Sequence, residues 1–157
     1  MREPQQREAV SSADPGEMSG LELLLSFGND EALRPGVAIL LGMHMTDIEH
    51  GRVAFVIDTR PEFGNPMGNV AGGIISTLVD SAMACAVHSA LPARAGYATV
   101  DLGLTFVRAA PAGGGVVRAE GEVVHMGGRI ATAKGTVTDG DDRLLATATT
   151  TCMIFRE

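Results

Sequence analysis

One long apolar segment, residues 74–91, limits the fold of this chain more than any other feature. It follows a loop of nine residues, 65–73, that contains three glycines, and its only carboxylate is Asp80. A run of this length forms about five helical turns, and a helix that is apolar on most faces is buried. An ionised carboxylate is costly to bury unless it has partners or a function. Asp80 is therefore the first candidate for a functional residue.

The segments around this helix have the alternation and turn residues of strands. Residues 37–48 and 53–57 are predicted to form a hairpin that turns at His50 and Gly51, and four more extended segments follow the helix. Glycine, proline and aspartate separate those four, so successive antiparallel hairpins are expected. The predicted class is α+β, in which one helix is wrapped by a six-stranded antiparallel sheet. The last four predicted strands are residues 97–107, 116–125, 130–138 and 144–155.

Length and composition indicate one domain. Residues 1–16 are predicted to be a disordered lead and residues 17–157 a single domain, which begins with a short amphipathic helix from Ser19 to about Gly28. The net charge of −7 argues against nucleic-acid binding. No segment predicts a membrane span or a secretory signal. Only two cysteines are present, which favours a reducing, cytoplasmic location. The four histidines lack metal-ligand spacing, so no metal is expected.

Within one chain, the N-terminus of the helix and its carboxylate are too far apart to act on the same carbonyl group. They could do so only if each came from a different chain. The N–H groups of Gly72 and Gly73 begin the helix without intrahelical partners, and such an end can hold an oxyanion. Asp80 lies eight residues further on, which is about 12 Å along the helix. In two antiparallel copies of the helix, the N-terminus of one copy would lie beside the Asp80 carboxylate of the other copy. The stripe of Thr77, Asp80 or Ser81, Ala84 and His88 is the predicted seam of this homodimer.

The order of these motifs resembles a known family. Asn65-Pro66-Met67-Gly68, the Gly72-Gly73 pair and Asp80 are followed by the motifs at residues 98–102 and 106–108, as in the hotdog-fold thioesterases of the phenylacetic-acid-degradation type. The resemblance covers about residues 20–155. It implies the hotdog fold and hydrolysis of an acyl-CoA thioester by a homodimer or, more usually, a dimer of dimers. Coenzyme A would then be part of the substrate, and no separate cofactor is implied.

The resemblance also implies roles for individual residues. Asp80 matches the family carboxylate, which acts as general base or nucleophile, and these two roles stay open. Gly72 matches the residue whose N–H polarises the thioester carbonyl, and Gly73 stands beside it. Asn65 matches an amide that orients the reacting groups, and Thr99 matches a hydroxyl that holds the water or the carboxylate.

The chain departs from the family pattern at Ala71, where the family has a histidine next to the carbonyl site. This makes a hotdog dehydratase improbable, because those enzymes use that histidine. It also leaves open an acyl-CoA-binding protein with weak or no turnover. A purely structural oligomer is a third alternative. Arg108, Arg129 and Arg143 are candidates to meet the CoA phosphates, and the first two are the preferred ones.

Overall fold

The computed structural model describes residues 14–28 and 34–156. Residues 1–13, which make up most of the predicted disordered lead, lie outside this range. Pro15–Glu17 form one turn of 3-10 helix. Three α-helices follow in the described ranges, α1, α2 and α3, which are Gly20–Gly28, Gly36–Leu41 and Gly72–Ser89.

A single antiparallel sheet wraps around α3 and confirms the predicted hotdog architecture. Its strand order is β1-β2-β4-β5-β6-β3, so β1 and β3 are the two edges. The four strands that follow α3 agree with the sequence prediction to within two residues at each end. The strands β1 to β6 are His44–Glu49, Arg52–Thr59, Ala95–Phe106, Gly115–Met126, Ile130–Asp139 and Leu144–Arg156.

The predicted extended start at residue 37 is wrong, because Gly36–Leu41 form the short helix α2. Pro35 occupies the N-cap, and Gly42 ends the helix in the left-handed conformation at φ 71°. The N–H of Met43 then donates to Ala38 O at 2.9 Å, which closes the last turn. The apolar, partly β-branched run resembled a strand, but proline before it and glycine after it are the end signals of a helix.

Two glycines place α3 against the sheet. Gly121 of β4 and Gly135 of β5 are directly paired across the strands, and both are buried. A Cβ atom at Gly121 would lie 2.5 Å from the backbone carbonyl carbon of Ala82, and one at Gly135 would lie 2.6 Å from Val79 Cγ2. Only glycine therefore permits this approach of helix and strand. The pair forms the groove in which the middle of α3 sits.

The helix α1 packs across the C-terminal part of α3. Ser19 and Glu22 form a reciprocal capping box, in which the Ser19 N–H donates to Glu22 Oε2 at 2.8 Å and the Glu22 N–H donates to Ser19 Oγ at 3.4 Å. Gly20 N–H donates to Leu91 O at 3.0 Å. The bond from Gly20 holds the start of α1 beside the end of α3, and Leu24 and Phe27 of α1 line one side of a cavity.

Candidate active site

Asp80 lies in the middle of α3 and points toward the edge strand β3. It is half-buried in the single chain, and Thr99 Oγ1 of β3 donates to Asp80 Oδ1 at 3.2 Å. The strand has a bulge between Thr99 and Asp101 relative to β6, and bulges commonly redirect side chains next to functional sites. Two of the predicted site residues are thus in contact.

A cavity of about 850 Å³ adjoins this pair. It lies between α1, α2, α3 and the inner face of strands β1 to β3. Its walls are mainly apolar, and the residues with polar side chains that line it include Arg34, His44, Asp80, Ser81, His88 and Thr99. The apolar walls include Leu24, Phe27, Val37, Met43, Met45, Phe55, Ala84 and Tyr97. A pocket of this size with few polar groups is typical of a small-molecule site.

Burial determines the protonation of the groups inside the cavity. It raises the pKa of the Cys85 thiol to about 12, with a smaller contribution from the charge of Asp80. It also raises the pKa of Tyr97, and it lowers that of His88 because the imidazolium form loses hydration. The thiol, the phenol and the imidazole are consequently neutral at pH 7, and Asp80 is the only carboxylate among the described residues that line this cavity.

The N-terminus of α3 is open. Ala71 is the N-cap and provides no side-chain hydrogen bond to the helix, and both Gly72 and Gly73 are exposed. Ala71 N–H donates to Phe63 O at 2.8 Å, which fixes the approach of the chain. Within the described residues, the N–H groups of Gly72 and Gly73 have no acceptor. Two backbone donors at the positive end of the helix dipole are therefore available to a carbonyl oxygen.

Asn65 shapes the loop that leads to this helix end. Its Oδ1 accepts hydrogen bonds from the N–H groups of Met67 at 2.9 Å and Asn69 at 3.1 Å. The backbone closes the same turn, since Gly68, at φ 77°, donates to Asn65 O. The carbonyl half of the amide is thus structural, as a turn-forming asparagine would be. Its Nδ2 group has no acceptor in the part of the chain described, so it could face a ligand.

A second, shallower cavity of about 460 Å³ lies at this helix end. Asn65, Gly72, Phe106 and Arg108 line it. The Phe106 ring covers Gly72 so closely that a Cβ there would lie 3.2 Å from Phe106 Cζ. Arg129, by contrast, is exposed in the turn between β4 and β5 and lines neither cavity.

The predicted site residues therefore fall into two groups on one chain. Asp80 and Thr99 line the larger cavity, and Asn65, Gly72 and Arg108 line the smaller one. Gly72 and Asp80 stand on the same continuous helix, eight residues and about 12 Å apart. Among the described residues, neither cavity is lined by both a carboxylate and the open N-terminus of α3.

Sequence reasoning gave no role to several residues that line the cavities. Phe106 was noted only as part of a motif, although its place just before Arg108 at the end of a strand was a usable signal. Tyr97 and Phe27 had no such signal, because they come to the cavity through the packing of α1 and β3. The sequence predicts His88 only as part of the helix seam or as a hydrogen-bonded core histidine, and it predicts no role for Cys85.

Within residues 14–28 and 34–156, no three side chains of histidine, cysteine, aspartate or glutamate come close enough to hold a metal ion. None of the helices in these ranges is both long enough and apolar enough to cross a membrane.

A long helix wrapped by a six-stranded antiparallel sheet is the hotdog fold. Residues 67–146 match the sequence model of the Thioesterase superfamily. The chain belongs to this superfamily, and its class of reaction is the hydrolysis of a thioester.

Individual proteins agree with this assignment. A Halobacterium salinarum protein named as a candidate esterase is 35% identical over 104 residues, which are 63% of this chain and 67% of that protein. A Ralstonia eutropha structure, described as a candidate thioesterase related to phenylacetic acid degradation, is 30% identical with a TM-score of 0.75 and covers 83% of this chain and 98% of its own. The PaaI protein of the Escherichia coli phenylacetic acid degradation operon has a TM-score of 0.72 at 18% identity over 83% of this chain and 88% of its own, which shows the shared fold.

Proposed function

We propose that this chain hydrolyses a small or medium acyl-CoA thioester to the free acid and coenzyme A, in a site shared by two chains. The observation that carries the proposal is the separation of the site into two cavities, one with Asp80 and Thr99 and the other with Gly72, Asn65 and Arg108. An antiparallel partner would join the carboxylate of one chain to the helix end of the other. Each dimer would then have two equivalent sites.

Each group has a distinct part in the proposed reaction. The Gly72 N–H polarises the thioester carbonyl and stabilises the oxyanion as negative charge develops. Asp80 of the partner either removes a proton from the attacking water or attacks the carbonyl itself, and Thr99 holds its carboxylate through the 3.2 Å hydrogen bond. The CoA thiolate leaves, and in both routes water supplies the oxygen of the product acid. Arg108, at the mouth of the smaller cavity, is the better placed of the two arginines to meet the CoA phosphates.

The first experiment measures thiol release from a panel of aryl- and aliphatic acyl-CoAs by this chain and by Asp80→Asn. Loss of the carboxylate should lower kcat by about 10²- to 10⁴-fold. Asp58→Asn is the matched control, because Asp58 is an exposed carboxylate on β2 outside both cavities. An active Asp80→Asn enzyme would refute the role of Asp80.

The role of the helix end can be tested by Gly72→Pro. Proline fits the first position of a helix and removes only an N–H that has no intrahelical acceptor, so the fold should tolerate it after a small shift of the Phe106 ring. We expect kcat to fall by about 10²- to 10³-fold. Gly73→Ala is the control, since its Cβ would meet nothing within 4 Å and the N–H is retained.

Complementation separates a shared site from a site within one chain. In a mixed dimer of Asp80→Asn and Gly72→Pro chains, one of the two shared sites is intact and the other has lost both groups. Activity should therefore return on mixing the two inactive variants under conditions of subunit exchange. A site contained in one chain would stay inactive in every mixture, and that result would refute the shared arrangement.

The structure offers two surfaces to support the proposed homodimer. Edge strand β3 is twelve residues long and pairs only with β6 among the described strands, and an open edge can add a second copy. Thr77, Asp80 and Ser81 form the part of the α3 stripe left half-exposed by the sheet. Further along, Ala84 and His88 line the cavity, so the proposed helix contact centres on the first half of the stripe.

The outer face of the sheet supports a dimer of dimers. On β1, β2 and β4 it carries the ion pairs Arg52–Glu120 and Arg118–Asp47, both at 2.8 Å. On β6 and β3 four neighbouring outward positions are uncharged and small, Thr147, Thr149, Gly103 and Thr105, while Asp101 occupies the next outward position of β3 and Lys134 of β5 pairs with Thr149. Charge is depleted at interface cores, so this uncharged strip is the proposed contact between dimers.

Sedimentation tests the contact between dimers. Thr149→Arg places a long charged side chain in the middle of the uncharged strip and should convert tetramers to dimers. Thr46→Arg, on the charged half of the same face, should leave the assembly unchanged. A monomer that retains full activity would refute the shared site itself.

The two cysteines are free thiols, which fits the proposed cytoplasmic location.

An acyl-CoA-binding protein with little turnover is the second candidate. The observation in its favour is Ala71 at the N-cap, where the family pattern has a histidine and this chain has no side-chain hydrogen bond. Under that hypothesis acyl-CoA would raise the melting temperature while no thiol is released. Ala71→His should then create or increase turnover, whereas an unchanged rate would show that the site works without the histidine.

A further inference from the structure

Among the polar groups of the larger cavity that have no part in the proposed reaction, His88 has an unpartnered nitrogen. His88 lines this cavity two turns of α3 beyond Asp80, and its ring packs against Tyr97 with ring centroids 5.5 Å apart. His88 Nδ1 is fully buried and has no hydrogen-bond partner in the described chain. Nor does any described group bond to Nε2, the nitrogen that remains accessible from the cavity.

The location of the proton on this imidazole follows from its surroundings. Burial lowers the pKa of His88, so the ring is neutral at pH 7 and carries one N–H. A buried donor without an acceptor is rarer and more costly than an under-satisfied acceptor. The proton therefore sits on Nε2, and His88 presents an N–H donor to an otherwise largely apolar part of the cavity.

The distance from Asp80 defines where a ligand atom would meet this donor. Eight residues of helix separate the Cα atoms of the two residues by about 12 Å along the helix axis. Of this axial distance, about 3 Å separates the carboxylate or its water from the reacting carbonyl carbon. A further distance of about 3 Å separates His88 Nε2 from the ligand atom that accepts its hydrogen bond. Roughly 6 Å remains, and an extended chain gains about 1.1 to 1.2 Å per bond. The acceptor would thus lie five or six bonds from the carbonyl carbon.

We infer that the preferred acyl group carries an oxygen acceptor at its distal end, a hydroxyl, oxo or ether oxygen, and that His88 Nε2–H binds it. This rests on the proposed thioester hydrolysis and names the class of acyl group for the same site. The cavity wall between the two ends supports the assignment, because Ala84 and Cys85 leave an apolar path along α3. His88 is then a residue that determines specificity and takes no part in the bond cleavage.

The test compares two substrates of equal size that differ only in this oxygen. In 6-oxoheptanoyl-CoA the oxygen stands six bonds from the carbonyl carbon, and 6-methylheptanoyl-CoA has a methyl group in its place. We expect kcat/KM to favour the oxo substrate by roughly tenfold, the range of one hydrogen bond to a neutral donor in a buried site. Because the contact exists before and during the reaction, the preference should appear mainly in KM.

Variants at position 88 identify the donor. His88→Leu should reduce the ratio of the two kcat/KM values to about one, and His88→Gln, which keeps an N–H donor, should retain part of it. Ser81→Ala is the matched control on the same cavity wall, since the Ser81 hydroxyl already donates to Thr77 O at 2.8 Å, and it should leave the ratio unchanged. A ratio is insensitive to general damage, because both substrates meet the same folded enzyme.

The outcomes separate this inference from the proposed function. If the natural chain hydrolyses neither substrate nor any other acyl-CoA, the proposed function fails. Hydrolysis of both substrates at equal kcat/KM, or a preference that survives in His88→Leu, overturns the inference about His88 and leaves the thioesterase intact.

Discussion

Gly121→Ala should be among the most destabilising single-methyl additions in this protein. The new Cβ would lie 2.5 Å from the carbonyl carbon and oxygen of Ala82 and from Met83 Cα, all of them backbone atoms of α3. An ordinary contact begins near 3.4 Å, so helix and strand must separate by about 1 Å. Because α3 also packs on the neighbouring strands, the shift cannot stay local. Overpacking of this kind costs about 3 kcal/mol.

Two other glycine substitutions calibrate this value. Gly135→Ala meets only side-chain atoms, Val79 Cγ2 at 2.6 Å and Met83 Sδ at 3.0 Å, and the flexible methionine can move, so we expect a loss of about 1 to 2 kcal/mol. Gly103→Ala meets Thr149 Oγ1 at 3.5 Å, an ordinary contact, and should change the free energy of unfolding by less than about 0.5 kcal/mol.

Urea unfolding at one fixed protein concentration measures all three variants, since association would otherwise change the apparent stability. The melting temperature of Gly121→Ala should fall by about 6 to 12 °C. Equal midpoints for Gly121→Ala and Gly103→Ala would refute the claim that these glycines set the distance between helix and sheet.

Three further predictions concern single side chains. Thr99→Val should lower kcat about tenfold without lowering the melting temperature, because it removes a hydrogen bond to the Asp80 carboxylate; an unchanged kcat would make Thr99 structural. Cys85, whose pKa burial raises to about 12, should react slowly with iodoacetamide at pH 8 in the folded protein and quickly in urea, as followed by peptide mass spectrometry. Hydrogen bonds from Arg52 and then Arg118 lower the pKa of Glu120 below its ordinary 4.5, so its contribution to stability is complete above that value and lost as the pH falls. The urea midpoint should therefore decrease in acid, and Glu120→Gln should weaken that dependence.

The sequence alone predicts the helices and strands that have a clear hydrophobic periodicity or clear end signals. The central helix and the four strands after it were predicted to within two residues at each end, because long apolar and alternating runs are separated there by glycine, proline and aspartate. The prediction for residues 36–41 was wrong because six residues are too few to show a hydrophobic periodicity. Tertiary hydrogen bonds, such as the one that Arg60 Nη2–H donates to Leu40 O, also help to determine the conformation of this segment.

The candidate site was predictable only where the motifs lie close together in sequence. Asp80 and the Gly72-Gly73 pair share one helix, and their 12 Å separation could be calculated from its rise. The contact between Thr99 and Asp80 depends on β3 lying beside α3, and His88 meets Tyr97 for the same reason. Such contacts join residues far apart in the chain, and no local pattern encodes them. Arg129 shows the converse, since its residue type suited phosphate binding but its turn lies outside both cavities.

The start of α3 shows how backbone groups, rather than side chains, could act on the carbonyl group in the proposed reaction. A helix normally satisfies its first N–H groups with a capping side chain, which stabilises it by about 1 kcal/mol. This helix has Ala71 at the N-cap followed by two glycines, so it gives up both the cap and helix propensity. The packing of α3 into the groove at Gly121 and Gly135 offsets that loss. The unpaired donors thus destabilise the helix end locally, and in the proposed reaction they would bind the oxyanion that forms at the thioester carbonyl.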